Sequence, residues 1–135
     1  GDLFDKMLNA IKLKKNDIFI VNAIPWRPPG NRYPTAEEIK ICRPFIFNLI
    51  KLLRPKIIVC LGEISTNQIL HLNQSFIKTR GKWHSLKSNP INDFDEEYNP
   101  YVLPTLNISY LLTRPDMKRQ AWEDIKLLRD KIREI

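Results

Sequence analysis

Two short apolar runs rich in isoleucine and valine constrain the fold of this chain most strongly, DIFIVNA at residues 17–23 and KIIVCLG at 56–62. Runs of this length are typical of strands that are buried on both faces of a sheet. A third run, YVLPT at 101–105, predicts another short strand. Strands buried on both faces need helices above and below them, so the sequence predicts an α/β fold.

Helical patterns alternate with these runs. One apolar stripe precedes the first strand and consists of Leu3, Phe4, Met7, Leu8, Ile11 and Leu13. Thr35 and Glu38 form a capping-box pattern, which predicts a helix from there to about Leu53, with a kink or later start at Pro44. Further helices are predicted over residues 64–72 and 117–135. The alternation indicates a parallel sheet with helices on both faces, formed by one domain over residues 1–135.

The remaining segments are predicted to be irregular or extended. Residues 75–85 (SFIKTRGKWHS) have the pattern of a basic hairpin that turns at Arg80 and Gly81. Residues 86–100 are polar and contain prolines, which predicts a surface loop, and residues 106–116 (LNISYLLTRPD) are predicted to form a second loop.

Charge and cysteine usage narrow the class of partner. The formal net charge is +7, which favours a polyanion over a cationic ligand. No apolar run approaches the roughly 20 residues of a membrane helix, and the first residues have no signal-peptide pattern. Cys60 lies inside an apolar run, so we interpret it as a small buried side chain rather than a disulfide partner. We expect a cytoplasmic monomer without a membrane segment.

The loops that follow the predicted strands are the expected place for a site, because open α/β sheets bind ligands at the carboxyl ends of their strands. One of these loops, NAIPWRPPGNR at residues 22–32, contains three prolines that restrict its backbone. Arg27 and Arg32 make this loop basic. Neither G-x-G-x-x-G nor a Walker A pattern occurs, which argues against a generic nucleotide-binding module.

Five stretches in order resemble the family 4 uracil-DNA glycosylases, the iron-sulfur branch of that superfamily. They are IVNAIPWRPPGNRYPTAEEIKICRPF, KIIVCLG, TRGKWHS, PTLNISYLLTRP and KRQAWEDI, and they follow one another in the family's order between residues 20 and 125. The resemblance as a whole extends over nearly the whole chain. The resemblance implies a three-layer α/β/α sandwich with a mostly parallel central sheet. It also implies an enzyme that flips uracil out of single- or double-stranded DNA and hydrolyses the bond between base and sugar.

The resemblance gives Asn22 the role of reading the uracil edge. An amide carbonyl and its NH2 group can pair with uracil N3–H and O4 together, whereas cytosine presents the opposite pattern and would leave buried groups unpaired. The alternative is an asparagine that ends a strand by bonding its own turn.

Asn107 stands where the family has the histidine of its HPAYLL motif, which donates a hydrogen bond to uracil O2 as the base leaves. An asparagine NH2 can still donate, and the mismatch-specific branch of the superfamily uses asparagine here. Tyr110, Leu111 and Arg114 are expected to push into the duplex and contact its backbone, with an apolar plug as the alternative role. Six further cations are predicted to contact DNA, namely Arg27, Arg32, Arg80, Lys82, Lys118 and Arg119.

This sequence departs from the family at the iron-sulfur cluster. The family holds four irons with four cysteines, of which Cys42 matches the last, Trp26 replaces the third, and the first two would precede Gly1. We therefore expect no cluster and no other cofactor. The family's water-positioning GEAPG loop and its base-stacking Phe would also precede Gly1. Two functions stay open, a uracil-DNA glycosylase and a noncatalytic DNA-binding remnant of that superfamily.

Overall fold

The computed structural model describes residues 18–21, 35–70, 74–86, 94 and 97–135, with only the backbone of 108 and 109. The helix predicted over residues 3–13 lies outside these ranges. None of the helices in the described residues combines the length and apolar character that crossing a bilayer requires.

Four strands form one sheet in the order β1-β2-β4-β3. They are β1 (Ile18–Val21), β2 (Ile57–Leu61), β3 (His84–Ser85) and β4 (Tyr101–Thr105). β2 is parallel to β1 and to β4, while the two-residue β3 runs antiparallel to β4. The sheet is therefore mostly parallel, as the sequence predicts.

The helices are α1 (Ala36–Leu53), α2 (Gly62–Ile69), α3 (Phe76–Thr79), α4 (Ile108–Thr113) and α5 (Lys118–Glu134), with a 3-10 turn at Pro115–Met117 before α5. The capping box predicted for α1 is confirmed. The Thr35 hydroxyl accepts from the Glu38 backbone N–H at 3.1 Å, and the Glu38 carboxylate accepts from the Thr35 N–H at 2.9 Å. α1 continues through Pro44 to Leu53.

The core lies on both faces of the sheet. On one face, Ile58 and Cys60 of β2 pack with buried side chains of α1 such as Ile46 and Ile50. On the other face, alternate β2 residues pack with Ile125 and Leu128 of α5. All five residues of β2 are buried, which is typical of a central parallel strand. The described residues thus form a helix layer, a sheet and a second helix layer, which confirms the predicted α/β/α architecture.

Two segments differ from their predicted structure. Residues 75–85 are not a hairpin, because Phe76–Thr79 is a helical turn in which the Thr79 hydroxyl donates to the Ser75 carbonyl at 2.9 Å. Residues 106–116 are not an irregular loop, because they contain α4. Burial of Leu111 stabilises α4, since six residues are too few to form a stable helix alone.

Pro104 lies within β4 without breaking the sheet. Its carbonyl accepts the Gly81 N–H at 2.9 Å, so its backbone polar groups face away from β2. The missing N–H of proline therefore costs no hydrogen bond with β2. The same contact fixes the Arg80-Gly81 turn, where Gly81 has a φ of +72°, beside the end of β4.

Candidate functional site

The carboxyl ends of three parallel strands lie side by side and define the candidate site. Val21 pairs with Cys60, and Leu61 pairs with Thr105, so the segments that leave β1, β2 and β4 emerge at one edge of the sheet. Asn22 follows Val21 directly along the chain. Asn22 itself lies outside the described residues, as do Arg27 and Arg32.

Asn107 and Gly62 meet at this edge. Gly62 has a φ of +89°, a conformation that L side chains rarely adopt. A Cβ added there would lie 3.2 Å from the Asn107 Cβ and 3.5 Å from its Nδ2. The amide of Asn107 therefore lies over the turn that leaves β2, and its residue is exposed. An exposed amide at the carboxyl ends of parallel strands can donate a hydrogen bond to a ligand placed there.

The turn after Asn107 divides its apolar side chains between core and surface. The Asn107 carbonyl accepts from the backbone N–H groups of Tyr110 and Leu111 at 3.0 and 3.3 Å, which starts α4. Leu111 is 1% exposed and packs in a cluster with Leu106 and Ala121, whereas Leu112 is 70% exposed. The prediction that Leu111 contacts DNA is therefore corrected, because its side chain is in the core and Leu112 presents the apolar surface. Tyr110 is exposed, as that prediction requires.

Arg114 is exposed but already has an acidic partner. Its Nε and one terminal nitrogen donate to the two carboxylate oxygens of Asp116 at 3.1 and 2.9 Å. Its guanidinium also lies 6.0 Å from the centre of the Tyr110 ring. The hydrogen bond from Arg114 lowers the pKa of Asp116 and raises that of Arg114. DNA would have to compete with Asp116 for this cation.

Lys118 and Arg119 are exposed in the first turn of α5, which contains no acidic side chain. Cations are unfavourable at a helix amino terminus by roughly 0.3–1 kcal/mol each, because the aligned peptide dipoles make that end positive. An anion bound at this end would offset the cost, since its charge complements both the cations and the positive end of the helix dipole. Lys82 is exposed in the turn after Arg80, as its predicted role requires.

Arg80 belongs to an internal network centred on Asp124 of α5. One terminal nitrogen of Arg80 donates to Asp124 Oδ1 at 3.1 Å, and the Thr105 hydroxyl donates to Asp124 Oδ2 at 2.6 Å. The Asp124 residue is only 1% exposed, and the Arg80 side chain is 20% exposed. The Arg80 guanidinium therefore neutralises a buried carboxylate, and its contact with a DNA phosphate stays a prediction.

Burial raises the pKa of Asp124, and the Thr105 hydroxyl and Arg80 act in the opposite direction. The sequence predictions did not include Asp124. A signal was available, because Asp124 lies three residues after Ala121 and four before Leu128, on the apolar stripe of α5. A carboxylate at such a position needs internal partners, since a buried charge without them is costly.

His84 fixes the basic turn from its other end. Its Nε2 lies 3.0 Å from the Thr79 carbonyl oxygen. A carbonyl only accepts hydrogen bonds, so Nε2 carries the proton in this contact. The turn between residues 79 and 84 is therefore held by side chains and presents Lys82 at the surface.

Cys42 does not occupy a setting suited to an iron-sulfur cluster. Both cysteines are free thiols and buried in the same apolar cluster, Cys42 on α1 and Cys60 on β2. Burial raises the pKa of each thiol, whereas an iron ligand must be a thiolate. Within the described ranges, no three His, Cys, Asp or Glu side chains are grouped to hold a metal ion. These residues do not fit the family's cluster.

Comparison with known proteins finds similar sequences over most of this chain. A sequence profile of the Uracil DNA glycosylase superfamily matches residues 1–126. The chain is 33% identical to a Type-4 uracil-DNA glycosylase of Sulfurisphaera tokodaii, over 96% of this chain and 58% of that protein. Similar relatives carry the same name in Saccharolobus solfataricus, at 32% identity over 96% and 59%, and in Thermotoga maritima, at 33% over 93% and 62%. The chain thus spans 58–62% of the length of these relatives.

Proposed function

Since the chain belongs to the uracil-DNA glycosylase superfamily, we propose that the protein is a uracil-DNA glycosylase, which hydrolyses the bond between a flipped-out uracil and its deoxyribose in DNA. The water oxygen bonds to the sugar carbon, and the departing base receives a proton. The observation that carries the proposal is the placement of the Asn107 amide over Gly62, at the carboxyl ends of β2 and β4.

Asn107 is the proposed donor to the leaving base. Negative charge develops on uracil as the bond breaks, and a fixed NH2 group near O2 stabilises that charge more than it stabilises the bound substrate. Asn22 is the proposed reader of the uracil edge, because it follows in sequence the last residue of β1, and β1 ends at the same edge of the sheet as β2 and β4. Its amide matches uracil and mismatches cytosine.

The DNA surface is proposed to lie around the end of β4 and the start of α5. Lys82, Lys118 and Arg119 are exposed there, and the helix amino terminus favours a phosphate. Tyr110 and Leu112 supply exposed aromatic and apolar surface against which an opened duplex can pack. Arg27 and Arg32 are proposed to extend this surface. The partner can be single- or double-stranded DNA.

The described residues support a proposal that this chain holds no cofactor by itself. A four-iron cluster needs four thiolates, and Trp26 stands at one ligand position of the family pattern. Cys42 packs in an apolar cluster instead. Iron analysis of anaerobically purified protein should find much less than one iron per chain, and a brown protein with about four irons would refute this assignment. The two free, buried thiols also support a reducing, cytoplasmic location, and we propose a monomer.

A noncatalytic DNA-binding remnant is the second candidate. It is favoured by Asn107, where the family pattern has a histidine, since loss of one preorganised donor costs on the order of 100-fold in rate. A remnant would keep the fold and the cations without releasing uracil. The two candidates therefore differ in chemistry and agree in DNA affinity.

Single-turnover release of uracil from single- and double-stranded oligonucleotides, measured with the full-length protein, separates them. Asn107→Ala should slow release on the order of 100-fold with little change in DNA affinity. Asn22→Asp should abolish discrimination for uracil, because a carboxylate presents no donor to O4. Asn48→Ala is the matched control, because Asn48 is an exposed asparagine within α1. DNA binding with no release from the unaltered protein would establish the remnant instead.

A further inference from the structure

We propose that Asp124 is a positioning residue, whose buried carboxylate holds the end of β4, and through it Asn107, in fixed relation to the Arg80-Gly81 turn. The catalytic consequence rests on the glycosylase function proposed above. The geometric claim stands without it.

The two carboxylate oxygens serve two different elements. Oδ2 accepts from Thr105, the last residue of β4, and Oδ1 accepts from Arg80 in the turn after α3. Both bonds are charge-assisted, and the 2.6 Å bond from Thr105 has the length expected of a hydroxyl that donates to a carboxylate. Asn107 follows Thr105 by two residues, so displacement of Thr105 would displace the amide that lies over Gly62.

A third contact closes the arrangement. The Gly81 N–H donates to the Pro104 carbonyl, which joins the turn directly to β4. The turn, β4 and α5 are therefore linked in pairs, and each pair has its own hydrogen bond. A Cβ at position 81 would lie only 2.8 Å from Asp124 Oδ1, so the carboxylate also lies against the backbone of the turn.

Burying the charged Asp124 carboxylate between α5 and β4 costs desolvation free energy. Replacing a buried ion pair with well-packed apolar residues is often neutral or stabilising, so bulk stability alone does not account for Asp124. Only an acceptor with two oxygens binds Thr105 and Arg80 together, and that requirement fixes a relative position.

The test compares Thr105→Val with Thr105→Ser in the full-length protein. Valine removes the hydroxyl and keeps the shape, whereas serine keeps the donor. Thr105→Val should slow single-turnover uracil release on the order of 100-fold, the cost of misplacing a reacting group by about 1 Å. Its DNA dissociation constant should change by less than about threefold, because the exposed cations are untouched. Thr105→Ser should retain most of the rate.

Amide hydrogen exchange provides a readout that does not depend on catalysis. The N–H groups of Gly81, Tyr110 and Leu111 report the turn and the backbone of Asn107. In Thr105→Val they should exchange roughly tenfold faster or more, the factor that corresponds to loss of one charge-assisted hydrogen bond. Amides within β2 should keep their wild-type protection.

Each outcome decides one of the two claims. Unchanged exchange at Gly81, Tyr110 and Leu111 in Thr105→Val would overturn the positioning role, whatever the activity. Faster exchange with unchanged uracil release would also overturn it, because the function of Asn107 would then not depend on the Thr105–Asp124 hydrogen bond. If the unaltered protein releases no uracil, the glycosylase proposal fails, and the exchange data still decide the geometric claim. Asp124→Asn should reproduce the Thr105→Val pattern where it folds, since it loses the Arg80 pairing.

Discussion

The Asn107 side chain rests against Gly62, with only 3.2 Å between the Asn107 Cβ and the position that a Cβ of residue 62 would take. This contact joins the residue after β2 to a residue just beyond β4, and a side chain at position 62 would have to displace Asn107 by a few tenths of an ångström. Glycine is favoured there by its positive φ and also by this close neighbour. Two features hold the proposed donor to uracil in place. One is this contact with Gly62, and the other is the hydrogen bond of Thr105 to Asp124 at the end of β4.

Gly62→Ala should displace Asn107. The φ of +89° and the close approach should together lower the free energy of unfolding by about 1–3 kcal/mol. Uracil release should fall more than stability explains, because the amide moves from its site. Glu63→Ala, at an exposed position of the same helical turn, should leave both properties near wild type. A Gly62→Ala protein with full activity would show that the position of Asn107 is not critical.

The adjacent leucines of α4 should respond to truncation in opposite ways. Leu111→Ala should lower the free energy of unfolding by about 2–5 kcal/mol, because it opens a cavity in a packed cluster. Leu112→Ala should change stability by less than about 0.5 kcal/mol, because the side chain is exposed. Leu112→Ala should, however, slow uracil release from double-stranded DNA more than from single strands. Urea unfolding measures the stabilities, and the two release assays measure the rates. If Leu112→Ala slows release from both substrates by the same factor relative to wild type, a wedge role for Leu112 is excluded.

Removing the acidic partner of Arg114 should strengthen DNA binding. In Asp116→Asn the guanidinium no longer neutralises a carboxylate, so one more phosphate contact becomes available. The slope of log affinity against log salt should steepen by roughly 0.7–0.9. Asp130→Asn is the control, because Asp130 also forms an exposed pair with an arginine, Arg129, within α5. Equal salt slopes for the two variants would place Arg114 outside the DNA surface.

The stability contributed by Asp124 should decrease as pH rises. Burial raises its pKa in the folded chain, so between the ordinary and the raised pKa the folded state binds more protons than the unfolded state. The free energy of unfolding then falls with rising pH. The Asp124→Asn side chain does not titrate, so it serves as the reference. The free energy of unfolding of wild type minus that of Asp124→Asn should be highest below the ordinary aspartate pKa of about 3.9 and should fall as the pH rises above it. Urea titrations at several pH values measure the difference, and an advantage that grows with pH would show that Arg80 outweighs burial.

The sequence predicts those elements whose causes are local. Thr35 and Glu38 predict the start of α1, and the unbroken apolar run of β2 predicts a strand covered on both faces. α4 is not predictable in this way, because it depends on Leu111 reaching a cluster made by distant residues. The role of Arg80 also depends on distance. The partner of Arg80, Asp124, is 44 residues away along the chain. The local sequence around Arg80 therefore shows only a basic turn, which suggested a phosphate contact.

The position of Asp124 late in the chain has a consequence for synthesis. When β4 emerges from a ribosome, α5 has not yet been made, and the Thr105 hydroxyl lacks the acceptor that it has in the finished fold. Parallel sheet pairing and docking of α5 both join segments that are distant in sequence, and such contacts form late. A nascent chain would therefore acquire a fixed Asn107 only after α5 docks. Under the proposed function, a molecule in which α5 has not docked lacks both the fixed donor of Asn107 and the placement of Lys118 and Arg119, so it does not yet excise a base.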